Sequence, residues 1–155
     1  MGGSRPLPGG WLRTGYLGMI LVLLVATQVV QPAWAQTPLA ELDAEHDPAK
    51  RSQRALALAE DSFEQAKKSY GAGQIKQGDA HLDDMTKLLN ACVSSLEAAR
   101  KASLYKQAEI RVETLLRRLQ SLIDDLSVDD RGWAEYTLRQ VDGIHDKLLS
   151  GVMKK

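Results

Sequence analysis

The sequence predicts an all-α fold: four helices, arranged as two helical hairpins closed into an up-down bundle, behind a leader that is removed. Three observations carry this expectation. Apolar residues recur at steps of three and four through most of the chain after residue 47. Helix-start and helix-stop residues, Asp47-Pro48 and Gly71-Ala72-Gly73, punctuate that pattern. The first 35 residues follow a different logic: a cationic start, an apolar run and an Ala-x-Ala exit.

The leader comes first. Arg5 and Arg13 are its only charges, and the run from Tyr16 to Ala26 is apolar. Ala33-Trp34-Ala35 then places small residues at the two positions a signal peptidase reads, so cleavage is expected between Ala35 and Gln36. An apolar run this short falls below the roughly 20 residues that span a bilayer comfortably. The reading is an export signal over 1–35, a flexible tether over 36–46 and a helical bundle domain over 47–155, with the protein periplasmic or secreted. Contact with the membrane is expected only through the uncleaved signal segment during export.

Charge narrows the function classes. The whole chain carries 20 basic and 20 acidic side chains, and removing the leader leaves 18 against 20, a net of −2. Balanced, interspersed charge gives no basic face for phosphate attraction, so no nucleic-acid partner is expected. Cys92 is the only cysteine, so the chain cannot staple itself internally; the thiol reads as a small buried hydrophobe.

Asp47 can accept bonds from the free amides at a helix start, and Pro48 suits the first helical position. Leu56, Ala59, Phe63, Ala66 and Tyr70 mark one face of the first predicted helix, which Gly71-Ala72-Gly73 ends. The second helix has the cleanest seam: Ile75, Gly78, Leu82, Met85, Leu89, Cys92, Leu96 and Ala99. Continuing that seam demands apolar residues at positions occupied by Ser103, Lys106, Glu113 and Arg117. The apolar residues instead follow Ala108, Val112, Leu115, Leu119, Leu122 and Leu126, roughly halfway round the axis at 100° per residue. A break near Ala102-Ser103 is therefore predicted. The third helix has Ile110, Leu116 and Ile123 beside its seam, the widest apolar face, and is expected to be the most buried. Ser127-Val128-Asp129-Asp130 reads as a capping box opening a fourth helix, which Ala134, Leu138, Val141, Leu148 and Val152 continue with Ile144 alongside.

Local motifs carry two resemblances. Tyr70, Gly73, Gly78, Leu82 and Met85 resemble the helix-turn-helix joint of tetratricopeptide repeats over roughly residues 66–89, with a tyrosine-to-glycine gap one residue short and no second copy. That likeness implies close helix packing at Gly78. The chain beyond the leader is also similar to small, uncharacterised exported helical proteins of bacteria, through its Tyr70-Gly71-Ala72-Gly73 hinge and Leu115-Leu116-Arg117-Arg118-Leu119. The likeness implies a fold and transfers no activity or site.

Site chemistry is thin. His81 and Asp84 lie one turn apart and His145 interrupts the last seam, but a stable metal site needs a third or fourth ligand. Cys-x-x-Cys-His is absent, so covalent haem is excluded; Met85 and His145 are a conceivable noncovalent pair, but a methionine in a helical seam is usually filler. The chain has no Gly-x-Ser-x-Gly, no phosphate loop and no His-Glu-x-x-His. Adjacent carboxylates such as Asp83-Asp84 and Asp124-Asp125 point about 100° apart on a helix and form no acid/base dyad. The expected function is non-enzymatic, with no cofactor: an interaction or structural protein whose partner is another protein or itself. Its surface is sought at Ile110, Leu116 and Ile123 or at Trp133 and Tyr136. The alternative is a small-ligand or metal-binding bundle using His81, Asp84 or His145. With cleavage at this junction, N-terminal sequencing of the protein released by the producing cell will start at Gln36; a start at Met1 would overturn the cleavage.

Overall fold

The computed structural model describes Gly2 and residues 38–154. The predicted leader and its Ala35–Gln36 junction lie outside the described residues. Among the described residues five helices follow one another: α1 (Pro38–Asp43), α2 (Pro48–Gly71), α3 (Ile75–Ala99), α4 (Ala102–Asp125) and α5 (Gly132–Met153). The described residues are all-α, and the four predicted helices are α2 to α5.

Within the segment expected as a tether, the described residues from Pro38 on hold a short helix. Pro38–Asp43 forms α1, and Leu42 is fully buried in the common core. Two ion pairs tie the short helix to α2: Asp43 with Arg51 at 3.1 Å, and Glu41 with Arg54. One apolar contact and two charges escape a periodicity argument because six residues contain less than two helical turns.

Asp47 caps α2 as its chemistry demands. Its carboxylate accepts from the amides of Ala49 at 2.8 Å and Lys50 at 3.4 Å, and those bonds hold its carboxyl below the usual carboxylate range. Gly73, at φ 72°, closes the other end. Its amide bonds to the carbonyl of Tyr70, and the amide of Gln74 bonds to that of Ser69, the two bonds of a Schellman motif. The chain then turns directly into α3.

Neither glycine nor proline separates α3 from α4. Arg100 itself takes the left-handed conformation, φ 51° and ψ 31°, with its amide bonded to Leu96. Arg100, whose left-handed conformation costs about 1–2 kcal/mol for a side chain bearing a Cβ, and the extended Lys101, φ −107° and ψ 108°, together make the phase change seen in the two seams, just before the predicted break. The predicted capping box is corrected. The Ser127 hydroxyl donates to the Asp130 carboxylate at 2.7 Å, and the amides of Asp130 and Arg131 bond to the Ser127 carbonyl. These residues close a turn, and α5 begins only at Gly132 with no side-chain cap.

Packing is centred on α3, which contacts α1, α2 and α5; α4 packs chiefly on α5. The wide apolar face of α4 does not make it the deepest helix, because Ile110 is half exposed. Where α2 and α4 approach, contact is sparse and long side chains fill it. Arg111 grips Glu60 with two bonds, 2.8 and 2.5 Å, Arg118 pairs with Glu64, and the Arg118 guanidinium lies 4.8 Å over the Phe63 ring. Being partly solvated, each pair contributes only about 0.2–1 kcal/mol.

Two tyrosine rings seat on glycines. Tyr70 of α2 lies over Gly78 of α3, where an added Cβ would fall 2.8 Å from the ring, and its hydroxyl donates to Asp79 at 2.5 Å. Tyr105 of α4 lies over Gly151 of α5 in the same way. Tyr70 is buried and its hydroxyl is anchored on Asp79, whereas Tyr105 is half-buried and its hydroxyl has no hydrogen-bond partner among the described residues. Gly78→Ala is therefore expected to lower stability by about 1–3 kcal/mol through overpacking, and Gly151→Ala by less. Urea unfolding midpoints check this, and equal midpoints for Gly78→Ala and the parent would refute the constraint.

Candidate interaction surface

The residues singled out on the third and fourth predicted helices separate sharply in the fold. Ile123, proposed as surface, is 5% exposed and belongs to the core. Ile110 is 50% exposed. Leu116 is half-buried beside the core. The difference follows from angle on the helix: Ile123 lies 60° or less from the Val112–Leu119 seam, whereas Ile110 projects away from it. A sequence period identifies a face, but the neighbouring helices decide how much of its margin is covered.

Trp133 and Tyr136 are 42% and 45% exposed. They sit one turn apart at the start of α5, so their rings meet, with centroids 5.3 Å apart and planes tilted by 41°. The Arg139 guanidinium continues this row, 6.0 Å from the Tyr136 ring. Arg139 also lines a groove of about 380 Å³ between α4 and α5, with Leu116, Arg117, Gln120, Leu138 and Asp142. Aromatics, an arginine and two leucines thus form one connected surface. Leu138 was expected in the core seam; it is instead half-buried and partly floors the groove. Arg139 and Asp142 carried no sequence signal, since charged residues at exposed helix positions are ordinary.

The histidines occupy different environments. The His46 ring bonds the Ala44 carbonyl at 3.0 Å. His81 is half-buried on α3, and the neighbouring Asp83 and Asp84 both face Lys87, at 2.6 and 3.7 Å. His145 lies between α5 and α4 with Nε2 3.4 Å from Glu109, which is 6% exposed and also takes a bond from Lys106 at 3.0 Å. His145 and Glu109 answer each other across the helix pair. Among the described residues, no group of three His, Cys, Asp or Glu side chains is placed to hold a metal ion. Met85 is fully buried within the core. Cys92 is 2% exposed, and burial pushes its thiol up to about 12, far from the thiolate that reactive cysteines use. No helix among the described residues is long and apolar enough to cross a membrane.

The chain matches no family model, no curated protein and no solved structure.

Glu109 supplies a test of this helix pair. The hydrogen bond from Lys106 most strongly, and that from His145, hold its carboxyl below the usual range against the opposing effect of burial. A carboxyl depressed on folding stabilises the fold above its unfolded value, near 4.5, and the contribution disappears as pH falls through the lower folded value. The difference in denaturant midpoint between the parent and Glu109→Gln should thus be largest near neutral pH and shrink below about pH 4. A pH-independent difference would contradict this account.

Proposed function

We propose that this chain is an exported, non-enzymatic interaction protein, periplasmic or secreted, that folds as an up-down four-helix bundle of two hairpins and presents the start of α5 to a protein partner. The observation that carries the proposal is the exposed Trp133–Tyr136 pair with Arg139 beside it. Tryptophan, tyrosine and arginine dominate the energetics of protein interfaces, because each offers a large rigid surface with a polar edge. Leaving two touching rings partly in water forgoes burial that a core position would have realised. The helical frame supports the reading: rings on a helix start from a fixed backbone and lose little freedom on binding.

Export rests on the leader pattern, and the partner's identity lies outside this surface. Trp133→Ala and Tyr136→Ala are both expected to weaken capture of the partner from the native envelope by about tenfold or more, with helical circular dichroism unchanged since neither side chain belongs to the hydrophobic core. Quantitative pull-down against the parent protein measures this. Undiminished capture by the double variant would move the binding surface elsewhere.

A further inference from the structure

The exposed apolar side chains of this fold are gathered in one place. Among the described residues Ile110, Val128, Trp133, Tyr136 and Met153 are the large ones left in water. Val128, Trp133 and Tyr136 lie together in sequence, at the α4–α5 turn and the start of α5, and Val128 is 74% exposed. A helical side chain leans back over the turn that precedes it. For Trp133 that turn holds Val128, Asp129 and Asp130.

Charge at this turn is one-sided. The run from Asp124 to Tyr136 carries five acids and one base, Arg131, in a chain balanced at 20 against 20. Glu135 is paired with Arg131 at 2.8 Å, and Asp125 shares a small cleft with Lys67 and Arg118. Asp124, Asp129 and Asp130 are the surplus, the first two exposed and the third half-buried. Lys68 and Lys76, around the α2–α3 turn, stand on α2 and α3. An anionic partner meets repulsion here. A purely apolar one strips water from carboxylates and returns nothing to them. A cation is satisfied twice, by the carboxylates and by the electron-rich ring faces. The fold already contains one such contact, the Arg139 guanidinium 6.0 Å from the Tyr136 ring.

We propose that the partner of this surface presents a basic segment, lysine or arginine interleaved with apolar residues. Its cations lie against Trp133 and the acids of the α4–α5 turn, and its apolar side chains cover Val128 and the ring edges. This rests on the aromatic surface at the start of α5 and adds the chemistry of its occupant. Because the carboxylates stay at a wet rim, they steer and select the partner, and their effect is screened by salt.

Trp133 is the only tryptophan beyond the leader, Trp11 and Trp34 both preceding residue 36, so its emission reports this surface. The test titrates the protein, as the cell produces it, with the peptide Lys-Leu-Lys-Leu-Lys and separately with Glu-Leu-Glu-Leu-Glu. The two probes match in length and apolar content. The lysine peptide should change the Trp133 emission saturably, and the glutamate peptide should not. Raising salt from about 0.05 to about 0.5 M should weaken the lysine peptide by about tenfold or more. Asp129→Lys, at an exposed turn position, should weaken it at least about threefold at low salt, with circular dichroism unchanged. Trp133→Phe supplies the blank. An equal response to both peptides, a preference for the glutamate peptide, or no saturable response up to about millimolar concentration would each overturn the proposal. Pull-down separates it from the surface itself. Capture that is lost in the Trp133→Ala/Tyr136→Ala double variant yet indifferent to Asp129→Lys and to salt keeps the aromatic surface and overturns the basic partner. Capture that survives the double variant overturns the surface.

Discussion

The burial of one face of α3 is the constraint on which the rest of this fold depends. Leu82, Met85, Leu88, Leu89, Cys92 and Leu96 are withdrawn from water along a single helix, and α1, α2 and α5 each pack against it. Fully burying a large aliphatic side chain contributes about 1.5–3 kcal/mol, so this seam outweighs every ion pair on the surface. With one buried thiol and no crosslink, the described residues are held together by packing. The glycines refine that packing. Gly78 admits the Tyr70 ring and fixes how closely α2 lies on α3, while Gly151 does the same for Tyr105 between α4 and α5.

Charge then does what packing leaves undone. Where α2 and α4 are too far apart for short apolar side chains, Arg111 and Arg118 reach across to Glu60 and Glu64. The Arg118 stem and guanidinium also cover the Phe63 ring, so the residue acts as an apolar lid as well as a cation. At the α4–α5 contact the polar pair is inside instead. Glu109 is nearly buried, and its two partners, Lys106 and His145, come from both helices. A carboxylate in such a place needs those donors, because a lone buried charge is costly. α4 and α5 meet at Glu109 and His145, and a groove between the same two helices is lined by Leu116 and Leu138. The row from Trp133 through Tyr136 to Arg139 leads to its edge.

Strongly periodic features were legible without coordinates. The α2 and α3 seams, the Asp47 cap, the Gly73 stop and the break between α3 and α4 all follow from spacing and local backbone chemistry. Features that depend on a single contact were not. Leu42 buries α1 with no repeat to announce it. Ser127 looks like a cap from its spacing to Asp130, yet the two side chains bond each other and the helix starts later. Of the candidate surface, Trp133 and Tyr136 are exposed and Ile123 is not, a distinction that composition cannot make because all are large apolar residues. Arg139 became visible only when its guanidinium could be seen beside the Tyr136 ring.

The division has one physical cause. Helix formation and the direction of each apolar stripe are settled by interactions among residues a few positions apart, so the linear order alone determined an all-α chain with seams, caps and one reversal of phase. Which stripe is central, which margin stays wet and which charges find partners depend on helices distant in sequence approaching one another. Those outcomes belong to the tertiary structure, because an interhelical gap is set by the side chains on both sides of it, and neither side can be measured from its own segment.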